Sequence, residues 1–364
     1  MSIKNKRNLQ KLLDDLPYPP THTYKLEGLA PTGVLKERMD IITRIAPSFF
    51  HGRRFLDIGC NKGFFSLSAS LGCDEVVGID SDKIFIELCG MLKPKNMTVI
   101  HSTFRDFAPA QQFDRIFIGN THHYIFKECQ GWQWVYKLAA ISNGEVIIEG
   151  PIDMKCRDMK NVLPEELGHL FTFGAFMEVM GQFFDLIKII PTTKYTPGRF
   201  VMYFKRKYDP FTKNSLQLNT LPSIRVLKED ENNMVFITKI KPYVGNIVAK
   251  VIKNPSRDLK IRISIARYSP ISNGAIGSIY DRGKFVGWLE EYNPHGTYAY
   301  KENERKLFLK ICEHVIFLAK LGYFDGDCAT INFFRGNDLY FDKSAVFPIS
   351  EIYEEVYENF RGTG

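Results

Sequence analysis

Residues 55–80 read FLDIGCNKGFFSLSASLGCDEVVGID, and the order of apolar runs, glycines and acids within them decides the fold. A short apolar run (Phe55, Leu56, Ile58) ends at Asp57-Ile58-Gly59, a turn continues to Gly63, and an apolar helical segment starts at Phe64. A second apolar run, Val76 to Ile79, ends in Asp80. Strand, glycine loop, helix, strand, acid is a unit that holds a nucleoside at the carboxyl edge of a parallel sheet. Gly59 is expected to let the backbone pass close to a ligand, and Gly63 to let the helix start tight against the strand. Asp80 is placed to accept hydrogen bonds from two ribose hydroxyls.

The loop is D-x-G-x-x-x-G, not the dinucleotide pattern G-x-G-x-x-G, and a carboxylate inside it would repel a pyrophosphate. An acid there suits a ligand with positive charge, a sulfonium or an ammonium, which points to S-adenosylmethionine. Asp57, Gly59, Cys60, Asn61 and Gly63 from the loop, with Asp80 and Ser81 after the second strand, are the candidate cofactor contacts.

At 364 residues the chain has room for two domains. Its composition is that of an ordinary globular protein, 45% hydrophobic and 24% charged. No apolar run approaches the ~20 residues of a membrane span. The basic N-terminus lacks the apolar block of a secretory signal. Seven cysteines without a C-x-x-C pair indicate neither a zinc site nor a disulfide framework, so the expected compartment is cytoplasmic, with the inner membrane face as a peripheral location. A net charge of +7 spread over the whole chain suits an anionic substrate or a membrane surface. It falls short of the basic stripe of a dedicated nucleic-acid binder.

Residues 36–46 are predicted as a helix leading into the first strand. A helix over Lys83–Met91, strands at Met97–His101, Asp114–Gly119 and Glu145–Glu149, and a hairpin of Phe184–Ile190 with Phe200–Phe204 follow. Pro164 is expected to open a helix rich in Phe and Met. Alternating strands and helices give an α/β class with a parallel sheet. The stretch 205–222 is polar, holds two prolines and has no clear period. It marks the domain boundary, giving an N-terminal extension (1–24), a first domain (25–207), a linker (208–222) and a smaller domain (223–364).

Over roughly residues 25–207 these motifs resemble the class I methyltransferases, which implies a Rossmann-like sheet and S-adenosylmethionine as cofactor. The resemblance places the Ser102-Thr103-Phe104 turn against adenine, with Thr103 where many relatives carry an acid, and Asn120 beside the cofactor. The end of the fourth strand, Gly119-Asn120-Thr121-His122-His123-Tyr124, then faces the reacting methyl group. A neutral imidazole there could take a proton from an attacking hydroxyl. If the two histidines open a helix they diverge, so one serves: His123 is favoured as base, with His122 packing or binding substrate. Glu149-Gly150-Pro151 reads as a strand-end turn or a substrate wall, and Trp132 and Trp134 as core or as a sugar platform.

The C-terminal third holds Asp327 and Asn332 in D-x-x-x-x-N spacing, then two apolar runs around a Gly-Asn-Asp turn, then Asp342. A helical segment, Lys306–Leu321, precedes them. This resembles a protein-kinase catalytic loop, and implies that Asp327 orients an acceptor hydroxyl while Asn332 and Asp342 hold Mg2+ on ATP. Asn246-Ile-Val-Ala-Lys250-Val resembles the strand that carries the phosphate-binding lysine, and Trp288–Tyr292 the adenine-binding hinge. Asp342 is followed by Lys-Ser where Phe-Gly is usual, and no G-x-G-x-x-G loop precedes Lys250. A methyltransferase followed by a small α+β kinase-like domain resembles the bifunctional enzymes that cap bacterial O-polysaccharides. That resemblance implies a sugar or phosphosugar acceptor and an ATP-dependent kinase step. The rival readings are a tRNA-modifying methyltransferase with a C-terminal binding module, and a pseudokinase scaffold.

Overall fold

The computed structural model describes residues 10, 11, 14, 24–26, 29–152, 159, 162–192, 199–209, 211, 215–240, 247–268, 275–291, 304–325, 334–335, 338–339 and 346–348. Asp327, Asn332 and Asp342 lie outside them. The chain divides into two compact units. One comprises Met1–Phe107 with Gln112–Lys207, the other Ala108–Gln111 with Tyr208–Gly364.

The first unit is a mixed seven-stranded sheet. Its strands are β1 (Gly52–Ile58), β2 (Cys73–Asp80), β3 (Met97–His101), β4 (Phe113–Gly119), β5 (Ser142–Pro151), β6 (Phe184–Thr192) and β7 (Arg199–Arg206). They lie in the order β3-β2-β1-β4-β5-β7-β6. The first five are parallel, and β7 runs antiparallel between β5 and β6. Phe55, Leu56, Ile58, Val76, Val77, Ile79 and the run Ile116–Ile118 are all buried, as strands covered on both faces require. This is the Rossmann-like methyltransferase sheet.

Helix α1 (Gly33–Ile45) precedes β1; α2 (Phe64–Ala69) and α3 (Lys83–Leu92) connect β1 to β2 and β2 to β3; α4 (His122–Glu128) and α5 (Trp134–Ile141) lie between β4 and β5. An aromatic cluster fills the space under the first loop, with Phe65 and Phe117 ring centroids 4.3 Å apart. The strand order reverses on either side of β1, so the carboxyl ends of β1, β2 and β4 open onto a crevice at the switch point. One boundary differs from the sequence expectation. Pro164 opens only the single turn Glu165–Gly168, and the Phe- and Met-rich helix α6 (Phe173–Phe183) begins later, where the Thr172 hydroxyl accepts from the Ala175 amide.

The second unit has its own six-stranded sheet, with the strands β8 (Ser215–Gln217), β9 (Arg225–Glu229), β10 (Asn233–Thr238), β11 (Ile247–Ile252), β12 (Gly277–Asp281) and β13 (Lys284–Glu291). Their order is β8-β12-β13-β11-β10-β9. Helix α7 (Leu259–Ala266) joins β11 to β12. After it come α8 (Glu304–Lys320), the pairing of Tyr323–Asp325 with Val346–Pro348, and that of Phe334–Arg335 with Asp338–Leu339.

The stretch 208–222, expected as a linker, is built into this unit. Phe211 is buried with Leu259, Ile263 and Trp288. Arg267 Nη1 donates to Asp209 Oδ1 at 2.7 Å, and β8 pairs in parallel with β12. Polar composition concealed a segment in which Asp209 and Phe211 both have partners in this unit. Among the described residues, no helix is long and apolar enough to cross a membrane.

Candidate functional site

A cavity of about 540 Å³ sits at the carboxyl ends of β1, β2 and β4. Its most constrained group is Asp80. One carboxylate oxygen accepts the Asn61 amide at 2.8 Å and the other accepts the Asp82 amide at 2.9 Å. Each oxygen keeps a lone pair for a ligand hydroxyl. The carboxylate therefore joins the first loop to the second and is held rigid at the cavity wall. Burial raises its pKa, and the two amides act in the opposite sense by favouring the charged form.

Asn61 reaches Asp80 because its backbone takes a positive φ of 48°, a conformation asparagine tolerates better than most residues. Gly59, at φ 74°, makes room for Thr121: a Cβ on it would lie 2.1 Å from Thr121 Oγ1. Gly63 serves in the same way under Cys89, 2.8 Å from its sulfur, and starts α2 from the left-handed region. Gly59, Cys60, Asn61, Asp80, Ser81, Thr103, Phe104 and Asn120 line the cavity. Gly63 and Asp57 do not. The Thr103 hydroxyl is engaged with Asp106, donating to its carboxylate at 3.0 Å, while Phe104 packs edge-on against Trp134.

Two expectations change here. Asp57 lies beneath the cavity, 1% exposed, accepting from Ser66 Oγ at 2.6 Å. Burial pushes its carboxyl up to about 7. It braces the start of α2 and does not face a ligand cation. The two histidines open α4 with rings at 90°, as divergence requires, but neither lines the cavity. His122 Nε2 lies 2.6 Å from the Pro151 carbonyl and its ring stacks on Phe171. Burial lowers its pKa to about 4, and that of His123 to about 2. Both stay neutral, and their position does not support a role as base. Trp132 and Trp134 follow the core reading of the sequence and pack on Phe176.

Tyr24, Arg38, Lys62, Phe85, Tyr124 and Glu128 also line the wall. Arg38, on α1, is 2% exposed. Its Nε is 3.1 Å from the fully buried Glu149 carboxylate of β5. Its Nη2 is buried without a hydrogen-bond partner among the described residues. The Asn120 Oδ1, on a residue at φ 53°, is in the same condition. These are a donor and an acceptor waiting for polar partners. Thr121 was legible from its place beside Asn120, whereas Arg38 had only a predicted helix around it. Glu149 is thus a partner for Arg38, and its side chain is not part of the cavity wall.

In the second unit, Lys250 Nζ is 3.3 Å from Glu290 and 5.6 Å from the Trp288 ring centroid. Trp288 Nε1 donates to the same carboxylate at 2.7 Å. The hinge-like strand thus supplies the lysine's partner. Helix α7 (LKIRISIA) contains no acid. Among the described residues, no three His, Cys, Asp or Glu side chains gather as metal ligands.

Residues 56–133 match the family model described as Methyltransferase domain. Comparison with curated protein sequences finds no match. Among solved structures, the N-methyltransferase NodS from Bradyrhizobium japonicum WM9 with S-adenosyl-L-homocysteine is similar at 15% identity and a TM-score of 0.42, over 55% of this chain and all of that one. Magnesium protoporphyrin IX methyltransferase (ChlM) from Synechocystis PCC 6803 is similar at 14% identity and a TM-score of 0.36, over 48% and 82%. WbdD, in a co-crystal with the kinase inhibitor LY294002, is similar at 18% identity and a TM-score of 0.41, over 97% and 86%.

Proposed function

We propose that the first unit transfers a methyl group from S-adenosylmethionine to an oxygen of a sugar or phosphosugar, and that the second unit binds ATP with Mg2+ for phosphoryl transfer. The observation that carries the methyl-transfer reading is Asp80. It is a carboxylate locked by two backbone amides at the switch point of the sheet, with a lone pair open on each oxygen.

The residues present fit an adenosyl sulfonium compound. Asp80 takes the ribose hydroxyls, Phe85 and Phe104 bound the adenine side, and Asn120 Oδ1 accepts from the amino-acid ammonium. When bound, the cofactor supplies an electrophilic methyl group on a sulfonium. The protein's part is to align an acceptor oxygen with it and exclude water. Arg38 Nη2 favours the phosphosugar among the two acceptors. A guanidinium buried with an unmet donor is matched by an oxyanion, and an oxyanion attacks without a general base. That agrees with two neutral histidines lying off the cavity.

For the second unit, Lys250 lies on the third strand of the run β9-β10-β11, and α7 follows, as a kinase-like arrangement requires. The partner of Lys250 comes from β13 and not from α7, a departure from that pattern. Asp327, Asn332 and Asp342 keep the acceptor-orienting and Mg2+-holding roles proposed from their spacing.

The test is calorimetry with S-adenosylhomocysteine on the full chain, followed by labelled methyl transfer to a sugar phosphate and to its neutral parent sugar. Binding, with transfer to the phosphorylated sugar, is expected. Absence of binding sinks the methyl-transfer reading. Mg2+-dependent ATP turnover that is lost in Asp342→Ala is expected of the second unit. Stabilisation by ATP and Mg2+ without turnover would make it a pseudokinase, and steeply salt-dependent tRNA binding would favour the RNA reading.

A further inference from the structure

Three carboxylates line the cavity: Asp80, Asp82 and Glu128. Asp80 is held by two backbone amides and assigned to the ribose. Asp82 caps α3, where its Oδ1 accepts the Ile84 amide at 2.9 Å. Glu128 is the third. It ends α4, whose Tyr124 and Ile125 line the same cavity, and its side chain is 22% exposed. Arg105 Nε stands 3.8 Å from it, beyond hydrogen-bonding reach, and donates instead to Asp106 Oδ1 at 3.1 Å. The Glu128 oxygens therefore keep lone pairs for a ligand.

The Arg105 contact places this carboxylate beside the turn that follows β3. That turn carries Phe104, an aromatic wall on the base side, and it is fastened from behind. Lys137 of α5, 1% exposed, donates to the Arg105 carbonyl at 2.5 Å, and its ammonium lies 5.6 Å from the Phe104 ring centroid. The Phe107 amide closes the turn on the Thr103 carbonyl at 3.1 Å. The Thr103 hydroxyl is used inside the turn, donating to Asp106 Oδ2 at 3.0 Å and accepting the Asp106 amide at 3.2 Å. A base meets a fixed ring face here, and the open carboxylate beside it comes from α4.

We propose that Glu128 accepts a hydrogen bond from the exocyclic amino group of the cofactor's adenine and so selects a 6-aminopurine. The proposal rests on the reading of the cavity as an S-adenosylmethionine site. A carboxylate only accepts, so it complements an amino donor and repels a 6-oxo group. A hydrogen bond to an ionised acceptor is stronger than one between neutral groups. Arg105, engaged with Asp106, steadies the charge of Glu128 without taking its oxygens.

Calorimetry on the full chain compares S-adenosylhomocysteine with its 6-deamino and 6-oxo analogues. The unaltered protein is expected to bind S-adenosylhomocysteine at least ~10-fold more tightly than the 6-deamino analogue. Glu128→Ala is expected to bring that ratio below ~3-fold while leaving affinity for the 6-deamino analogue unchanged. Glu128→Gln, close in shape, is expected to bind the 6-oxo analogue better than the unaltered protein does, because an amide donates to the oxo group. Equal weakening of both ligands in Glu128→Ala would make the residue structural only, and a ratio that survives would put the amino group elsewhere. Either result overturns the proposal, as does equal affinity of the unaltered protein for the two ligands. If the unaltered protein binds none of the ligands, the methyl-transfer reading falls and the proposal with it. Binding of S-adenosylhomocysteine without discrimination removes the proposal alone.

Discussion

Replacing Asp80 by Ala removes two charge-assisted acceptors of ribose hydroxyls and releases the Asn61 and Asp82 amides. Hydrogen bonds to charged groups contribute about 1.5–3 kcal/mol each, so affinity for S-adenosylhomocysteine is expected to fall by roughly 100-fold or more by calorimetry. A loss below ~3-fold would show that this carboxylate does not grip the ligand. Three other buried residues contribute to acid stability, and their effects oppose. His122 and His123 have folded pKa values lowered to about 4 and about 2. Between pH 6.5 and 4 the unfolded chain therefore binds up to about two more protons at these positions than the folded one, and stability falls on acidification. Asp57, raised to about 7, holds its proton in the folded state where the unfolded chain has lost it, so stability rises on acidification through the same window. Each proton contributes about 1.4 kcal/mol per pH unit. Among these three groups, two against one leaves a net loss of roughly 1.4 kcal/mol per unit as the pH drops. In urea melts across pH 4–6.5, Asp57→Asn is expected to steepen that slope and His123→Phe to flatten it. An unchanged slope in Asp57→Asn would mean that the carboxyl is ionised in the folded protein.

Between elements, two contacts fix the cavity. The Arg38–Glu149 pair ties α1 to the end of β5 with both side chains buried. Removing one partner leaves a buried charge uncompensated, and Glu149→Ala is expected to destabilise the first unit by about 3–5 kcal/mol. The double replacement Arg38→Met with Glu149→Leu is expected to restore most of the stability while abolishing use of an anionic acceptor. Retention of phosphosugar methylation in that variant would exclude Arg38 as the group that reads the acceptor. The second contact joins the first loop to the start of α4, where Gly59 leaves room for Thr121. Gly59→Ala strains a positive φ and overlaps the threonine, so Thr121→Gly is expected to rescue only the overlap. A denaturant-melt double-mutant cycle is expected to give a coupling of about 0.5–3 kcal/mol, and a coupling near zero would show that the loop moves away freely.

At the scale of the whole molecule the two units have separate cores, and each proposed ligand addresses one of them. S-adenosylhomocysteine at 100 times its Kd is expected to stabilise the first unit by about 2.7 kcal/mol. In scanning calorimetry that shift is expected to vanish in Asp80→Ala and to persist in Asp342→Ala, with the reverse pattern for ATP and Mg2+. Loss of both ligand effects in either variant would deny this division. The strand–loop–helix–strand unit at 55–80, the later strands and the place of Asp80 were legible in the amino-acid order, because strand burial and turn chemistry are local and leave a period-and-glycine trace. Helix α6 and the stretch 208–222 were misjudged because a capping threonine outweighed a proline in one, and isolated side chains found distant partners in the other. Sequence alone determined the α/β alternation and the acid that closes β2. Only the tertiary structure decided that Asp57, His122 and His123 are buried away from the cavity while Arg38 enters it. Which way a side chain faces depends on what packs around it from segments far along the chain, and no local pattern encodes that.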